Sequence, residues 1–214
     1  ESALRQCVTA AQAQSLGTVP ENWAALLEST WQWLQGEASP PGTARAIVTL
    51  GDVRYPQPLL ETEDPPLLLY LLGSASLLAA SPFPAGRCLA VVGSRNPTAQ
   101  GAENARLFAR ALHGAGLTIV SGLALGVDAA AHEGALDAAA DDGAAATIAV
   151  VGTGLDRVYP RKNLDLAHRI AARGLLVSEY PLGTPPLPAN FPKRNRIISG
   201  LSQGTLVVEA ALAS

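Results

Sequence analysis

The sequence predicts an α/β fold: a doubly wound parallel sheet preceded by a small helical region. From Cys88 onward, a short apolar segment, a loop of small residues and a helix follow one another three times, and two further apolar segments come after them. Short segments that are apolar almost throughout are typical of strands buried on both faces of a sheet. When such strands alternate with helices, the strands run parallel and helices cover both faces.

Residues 1–38 are predicted to be a small helical domain. Its apolar residues recur at helical spacing and form one stripe, which consists of Trp23, Leu26, Leu27, Trp31 and Leu34. We expect this stripe to be core rather than a binding groove. Proline and glycine at residues 39–43 then mark a boundary, and the Leu- and Pro-rich residues 39–87 are expected to form a linker and an irregular collar of the next domain.

Residues 88–214 contain the repeated units. The predicted strands cover residues 89–92, 117–120, 147–151, 175–177 and 206–208. Helices are predicted after Thr98, up to Ala139, and over residues 163–173, where Gly174 ends the last one. Because ligands of such sheets bind beyond the carboxyl ends of the strands, the loops after the first three strands should lie together at the binding edge.

Composition favours a soluble protein. Of the 214 residues, 48% are hydrophobic and 15% are charged, and no apolar run approaches the length of a membrane span. Cys7 and Cys88 are far apart and have no companions at metal-ligand spacing, so we expect free thiols in a reducing cytoplasm. The chain has no methionine, not even an initiator, and we therefore expect a fragment, a processed form or an engineered chain.

Charge is distributed unevenly along the chain. The formal net charge is −3, but residues 157–196 hold eight Lys and Arg against two acids, which gives this segment +6 and the remainder −9. Such segregation is expected when one face of a protein meets a polyanion. The densest part is residues 189–200, where Lys193, Arg194 and Arg196 precede an apolar run. We predict a loop or short helix there that leads into a buried strand and presents an anion-binding surface.

Three glycine-containing loops should join that surface. They are Gly93-Ser94-Arg95, Ser121-Gly122 and Gly152-Thr153-Gly154, each of which follows a predicted strand. A loop of this kind places backbone N–H groups at the start of a helix, where phosphate is favoured. Arg95 would add a bidentate guanidinium to the same anion.

Two other kinds of site compete with this interpretation. A nicotinamide site would need a third glycine where Arg157 stands in the Gly152 loop. Asp128 and His132 lie four residues apart on one predicted helix and could form a metal site or an acid/base pair, but with three histidines in the chain a structural hydrogen bond is favoured. We therefore expect no cofactor and no metal.

Four ordered motifs closely resemble those of the DNA processing protein A family, DprA, also called Smf. They begin at Val92, Val120, Gly152 and Phe191 and read VGSRNPT, VSGLALGVDAAAH, GTGLDRVYP and FPKRNRIISGLS. The resemblance extends from about Asp52 to the end of the chain. It implies an extended Rossmann-like domain over residues 88–214, which would be incomplete at its C-terminus, and makes residues 1–38 a candidate for an incomplete SAM-like domain.

The same resemblance implies a function. A protein of this family binds single-stranded DNA that enters the cell in natural transformation, or competence, protects it, and loads the RecA recombinase onto it for DNA recombination. It acts as a homodimer in the cytoplasm, without a cofactor and without being an enzyme; some members continue into a winged helix. Carried over by motif, the DNA-binding residues are Gly93, Ser94, Arg95, Ser121, Gly122, Lys162, Phe191, Lys193, Arg194, Asn195 and Arg196.

An enzyme is the alternative. Gly204-Thr205-Leu-Val-Val-Glu209 resembles the Gly-Thr-x-x-Glu of nucleotide phosphoribohydrolases on a related fold, in which a glutamate assists cleavage of a base from its ribose phosphate. Here the glutamate comes one residue late, and Ser199-Gly200 replaces the expected pair of glycines. Such an enzyme needs a catalytic carboxylate in the cleft, whereas a DNA-binding groove needs a row of cations.

Overall fold

A computed structural model describes residues 4–36, 40–80, 82–84, 86–140 and 144–210. The chain divides into two units, Glu1–Gly36 and Glu37–Ser214. None of the described helices is long and apolar enough to cross a membrane.

The N-terminal unit is helical. Its helices are α1 (Leu4–Cys7), α2 (Ala10–Gly17) and α3 (Trp23–Gln35). Thr9 and Gln12 form a capping box at the start of α2: the Gln12 amide donates to Thr9 Oγ1 at 3.3 Å, and the Thr9 amide donates to Gln12 Oε1 at 3.0 Å. This exchange satisfies two backbone donors that have no partner inside the helix.

The apolar stripe of α3 is only partly buried, so the expectation that it forms core is wrong for three of its members. Trp23, Leu27 and Trp31 are 49%, 52% and 58% exposed, whereas Trp33, which the stripe did not include, is buried. At about 100° per residue, positions 23, 27 and 31 form one row on a helix and positions 26 and 33 another. The second row is the less exposed one, since Trp33 is buried and Leu26 is half-buried.

The second unit contains a seven-stranded sheet with the order β1-β2-β6-β5-β4-β3-β7. The strands are β1 (Thr43–Thr49), β2 (Leu68–Ser74), β3 (Cys88–Gly93), β4 (Thr118–Ser121), β5 (Thr147–Val150), β6 (Leu175–Ser178) and β7 (Thr205–Val208). The five strands from β3 to β7 pair in parallel, as predicted. The strand β7 lies at an edge and is half exposed rather than buried, since β3 is its one neighbour in the described sheet.

The predicted collar is more regular than expected. Within residues 39–87, β1 pairs antiparallel with β2, and β2 pairs antiparallel with β6, so the sheet is mixed. The prolines at residues 56, 58, 65 and 66 favoured irregular structure, but they all fall between the two strands. The apolar run of β2 is buried because β2 lies inside the sheet, between β1 and β6.

Helices cover both faces of the sheet. They are α4 (Ala75–Ala79), α5 (Ala99–Gly114), α6 (Val127–Ala138), α7 (Leu164–Arg173) and α8 (Asn190–Leu201), with short 3₁₀ helices at Gln57–Glu61 and Arg161–Asn163. One core cluster joins Ala105 and Ala109 of α5 and Ala131 of α6 to β3 and β4. On the other face, Ile197 of α8 packs with Leu59 and the strands. The helix α8 therefore crosses the sheet beside the carboxyl ends of β4 and β5.

His132 is a fully buried core residue. Its Nδ1 lies 2.7 Å from Thr147 Oγ1, whose own hydrogen goes to the Ile119 carbonyl at 2.7 Å, so Nδ1 carries the proton. The other ring nitrogen, Nε2, is buried with no hydrogen-bond partner among the described residues. Burial, together with the nearby charge of Arg194, lowers the pKa of His132 to about 3.

This buried histidine should make stability fall in mild acid. His132 is protonated below about pH 6.5 in the unfolded chain but only below about pH 3 in the folded protein. Between these two pH values protonation favours the unfolded state, so the unfolding free energy falls as the pH falls. Between pH 7.5 and pH 5.0 this amounts to about 2 kcal/mol of unfolding free energy. Urea titrations at the two pH values should show His132→Gln losing about that much pH dependence.

Exposed His168 provides the matched control, since His168→Gln should keep the pH dependence of the parent chain. The assignment fails if His132→Gln and the parent lose the same stability between the two pH values.

Candidate nucleic-acid interface

A cleft with a volume of about 440 Å³ lies at the carboxyl edge of the sheet, between the end of β3 and helix α8. Its lining includes seven positions that matter below: Gly93, Arg95, Asp128, Phe191, Arg194, Asn195 and Arg196. A smaller recess of about 120 Å³ shares Arg95 and Phe191 and adds Gly122 and Tyr159. The sheet edge that the sequence predicted as the binding edge therefore carries a cleft.

Arg95 is the exposed cation of the first loop. The loop is held because the Val127 amide donates to the Ser94 carbonyl at 3.0 Å and the Asn96 amide donates to Ser94 Oγ at 3.1 Å. The Arg95 guanidinium lies over the ring of Phe191, 5.6 Å from its centre. Arg95 has no ion pair within the described part of the chain, and its charge therefore faces the cleft unneutralised.

Phe191 has a second aromatic neighbour. The rings of Tyr159 and Phe191 are 5.6 Å apart and tilted by 31°. Tyr159 belongs to the motif GTGLDRVYP, but nothing in the sequence shows that residues 159 and 191 meet. The two rings form an apolar floor beside the Arg95 guanidinium.

Two predicted lysines are exposed beside the cleft. Lys193 lies on α8 between two lining residues, Pro192 and Arg194. Lys162 lies in the 3₁₀ helix Arg161–Asn163, which Asn163 ties to the second loop by donating to the Leu123 carbonyl at 2.9 Å. Lys162 thus projects from an anchored turn.

The second loop uses its own donors internally, and the expectation that Ser121 and Gly122 hold phosphate needs correction. Both residues are buried, and the Ser121 hydroxyl donates to the Val91 carbonyl at 2.6 Å. The amides of Gly122 and Ala124 donate to Asp128 Oδ2 at 3.1 Å and 3.3 Å. A carboxylate of the chain therefore occupies the position at the start of α6 where a phosphate was expected.

The third loop is also bonded internally. The Gly152 carbonyl accepts from Asn190 Nδ2 at 3.1 Å, and the Gly154 amide donates to the Thr184 carbonyl at 3.1 Å. The side chain of Thr153 is buried. This loop thus supports the start of α8, and its Gly154 amide is engaged within the chain.

Arg194 is a buried residue, 4% exposed, although the sequence grouped it with the surface cations. Its Nη1 donates to the Gly122 carbonyl at 2.5 Å and also to the Val150 carbonyl, and its Nε donates to Asn195 Oδ1 at 3.0 Å. Its Nη2 lies 3.9 Å from Asp128 Oδ2. These contacts join α8 to the ends of β4 and β5, so the guanidinium serves the fold and is not open to a strand in the cleft.

Burial shifts the pKa values of Asp128 and Arg194. Burial raises the pKa of the Asp128 carboxyl, although Arg194 and the loop amides act in the opposite direction. Burial likewise lowers the pKa of Arg194, which Asp128 partly offsets. Asp128 and His132 do not share a ligand, since His132 bonds to Thr147. The favoured interpretation of both as structural residues agrees with these contacts.

Arg196 is paired with acids. Its Nη1 and Nη2 donate to the two carboxylate oxygens of Glu179 at 2.9 Å and 2.6 Å, and its Nε donates to Asp64 Oδ2 at 3.2 Å. The sequence counted Arg196 as a free cation because Glu179 and Asp64 are distant along the chain. Its charge is largely neutralised, and it holds α8 against the end of β6.

Glu209, the residue on which the enzyme alternative depends, is committed to helix α5. The Thr98 amide donates to Glu209 Oε2 at 2.7 Å and the Thr98 hydroxyl donates to Oε1. These bonds lower the pKa of the Glu209 carboxyl. A Cβ atom on Gly101 would overlap that carboxylate, so the glycine makes room for it. Glu209 caps the start of α5 and does not line the cleft of the described residues.

Residues 4–36, 40–80, 82–84, 86–140 and 144–210 contain no group of three or more His, Cys, Asp or Glu side chains that could hold a metal ion. Cys88 is buried, and burial raises the pKa of its thiol to about 11, so it is a poor nucleophile at neutral pH.

Solved structures and curated proteins resemble this chain over most of its length. The crystal structure of DNA processing protein A from Streptococcus pneumoniae matches with a TM-score of 0.70 and 38% identity, over 91% of this chain and 65% of that one. The structure of DNA processing protein A from Helicobacter pylori, described for its unique single-stranded DNA binding mode, matches with a TM-score of 0.65 and 32% identity, over 79% of this chain and 71% of that one.

Protein Smf of Escherichia coli is 47% identical over 161 residues, which are 75% of this chain and 40% of that protein. DNA processing protein DprA of Streptococcus pneumoniae is 45% identical over 160 residues, which are 75% of this chain and 52% of that protein. This chain thus spans about half or less of the length of these two relatives. The model for DNA recombination-mediator protein A matches residues 46–214, and the chain belongs to that family.

Proposed function

We propose that this chain binds the backbone of single-stranded DNA along the cleft at the carboxyl edge of the sheet. Arg95, Lys193 and Lys162 would contact phosphates, and Phe191 with Tyr159 would support the sugar and base beside them. The observation that carries the proposal is the exposed, unneutralised Arg95 at the end of a buried strand, beside an aromatic floor and a cleft of about 440 Å³. A strand-end arginine is held in place and can donate bidentately to phosphate.

Two carboxylates of the chain indicate which groups at this edge remain available to a ligand. Asp128 and Glu209 occupy the starts of α6 and α5, where amides would otherwise attract a phosphate. Recognition would then depend on exposed side chains and not on glycine-loop amides. Gly93, Ser94, Ser121, Gly122 and Arg196 shape the groove, and Asn195, which lines it, can donate its amide to a phosphate or sugar oxygen.

The wider role that we propose is that of a recombination mediator in natural transformation. The protein would act in the cytoplasm as a homodimer, protect incoming single-stranded DNA, and load RecA recombinase onto it. Membership of the DNA recombination-mediator protein A family supports this role, as does the similarity to the Helicobacter pylori protein described for single-stranded DNA binding. The residues 1–38 would be a separate helical domain and residues 88–214 the DNA-binding domain, whose sheet residues 39–87 extend with β1 and β2.

A titration against salt tests the backbone contacts. With three exposed cations in the groove, log K for a single strand against log[salt] should have a slope of about −2, because each neutralised phosphate contributes about −0.7. Affinity for the single strand should exceed that for duplex of equal length. A flat salt response or a preference for duplex would rule out the groove as assigned.

A substitution at Arg95 tests the principal contact. Arg95→Ala should weaken single-strand binding by about 1.5–3 kcal/mol, the range for a hydrogen bond to a charged group, and reduce the salt slope by about 0.7. Arg95→Lys should recover part of the loss, because the charge returns without the planar guanidinium.

Arg106 provides the matched control for Arg95. It is an exposed arginine on α5 whose charge is engaged with Asp137 at 2.6 Å. Arg106→Ala should leave binding within about 0.5 kcal/mol of the parent chain. Equal losses for the two variants would mean that general charge and not this site binds the strand.

A further inference from the structure

An acidic residue lies inside the groove proposed for a polyanion. Asp128 lines the cleft together with Arg95 and Arg194, and it is buried. On charge alone, a carboxylate here opposes the binding of DNA, because like charges repel most strongly where water is excluded. Its contacts indicate the opposite contribution.

Asp128 holds the buried guanidinium of Arg194. One carboxylate oxygen accepts the amides of Gly122 and Ala124 and lies 3.9 Å from Arg194 Nη2. The same guanidinium donates to the carbonyls of Gly122 and Val150, at the ends of two neighbouring strands. Arg194 is one residue from Lys193 and three from Phe191 on α8, so the position of the guanidinium fixes the register of the side chains that the helix presents to the cleft.

Gly122 is a glycine because of Arg194. Its backbone does not adopt the left-handed conformation that favours glycine. A Cβ atom built on it would overlap the Nη1, Nη2 and Cζ atoms of Arg194. The obstruction is the far end of a flexible side chain, so an alanine at this position can be accommodated, but only by displacing the guanidinium.

We propose that Asp128 and Gly122 are positioning residues for DNA binding: they hold Arg194 against the ends of β4 and β5, so that α8 places Phe191 against the Arg95 guanidinium and Lys193 at the exposed margin of the cleft. This inference rests on the proposed function, that is, on the binding of single-stranded DNA in this cleft. Neither residue contacts the strand.

The direction in which one charge-neutralising substitution changes the affinity for DNA tests the proposal. Asp128→Asn removes a negative charge from the groove and keeps an oxygen that can accept the loop amides. A direct electrostatic role predicts binding as tight as that of the parent chain or tighter. The positioning role predicts binding about tenfold weaker, the scale of one displaced charge-assisted contact, as measured by fluorescence anisotropy on a labelled poly-dT strand.

Asp64 provides the matched control. It also pairs with an arginine of α8, at 3.2 Å, but its side chain is 81% exposed and Glu179 keeps the same arginine in place. Asp64→Asn should therefore bind as tightly as the parent chain or slightly more tightly. Equal effects of the two substitutions would overturn the positioning role of Asp128.

Gly122→Ala tests the same role without any change of charge. It should weaken binding by a similar factor because it displaces the Arg194 guanidinium, and it decides the question if Asp128→Asn does not yield folded protein. Hydrogen exchange should show faster exchange for the amides of α8 and unchanged protection in β4 and β5. Binding by Gly122→Ala equal to that of the parent would overturn the proposal.

A double-mutant cycle separates positioning from a loss of stability. In the Gly122→Ala background, Lys193→Ala should cost less than it does in the parent, since the lysine is already displaced, whereas Arg95→Ala should keep its full cost. A residue that only stabilises the fold would leave both costs unchanged. If the parent chain itself binds no single-stranded DNA, the proposed function fails. If the parent chain binds single-stranded DNA but Gly122→Ala and Asp128→Asn bind it as tightly as the parent does, this inference fails and the proposed function stands.

Discussion

The arrangement of the cleft depends on one buried guanidinium. Arg194 lies where two strands, the helix α6 and the helix α8 meet, and it satisfies carbonyls at the ends of both strands. A buried charge is costly unless it is both paired and hydrogen-bonded, and this one meets both conditions through Asp128 and the backbone. The wall of the groove that α8 forms therefore depends on an interaction that lies beneath its surface.

Two kinds of cation consequently share one short helix. Arg194 and Arg196 are hydrogen-bonded to partners within the chain, whereas Lys193, which lies between Arg194 and Pro192, is exposed. At the same sheet edge, Glu209 accepts the Thr98 amide at the start of α5, and Asp128 accepts the amides of Gly122 and Ala124 in the loop before α6. What remains for a ligand is a set of exposed side chains on a rigid frame, which suits contact with a repeating backbone more than enclosure of one phosphate group.

Sequence alone predicted the frame better than the roles of its residues. The five parallel strands and the edge at which the loops meet follow from apolar runs that alternate with helices, and these were predicted correctly. The strands β1 and β2 were missed because prolines between them favoured irregular structure. The burial of Arg194 could not be read from a run of cations, since neighbours on a helix point about 100° apart and the partners of Arg194, residues 122 and 150, are distant in sequence.

The contact between Gly122 and Arg194 ties together two positions that are 72 residues apart. A glycine without the arginine would leave a void at the strand ends, and the arginine without the glycine would have no room. Substitution of either residue alone should disrupt this contact, so the two positions should covary among homologues. The same holds for design: a helix like α8 grafted onto another sheet would need a glycine at the end of the strand that receives its arginine.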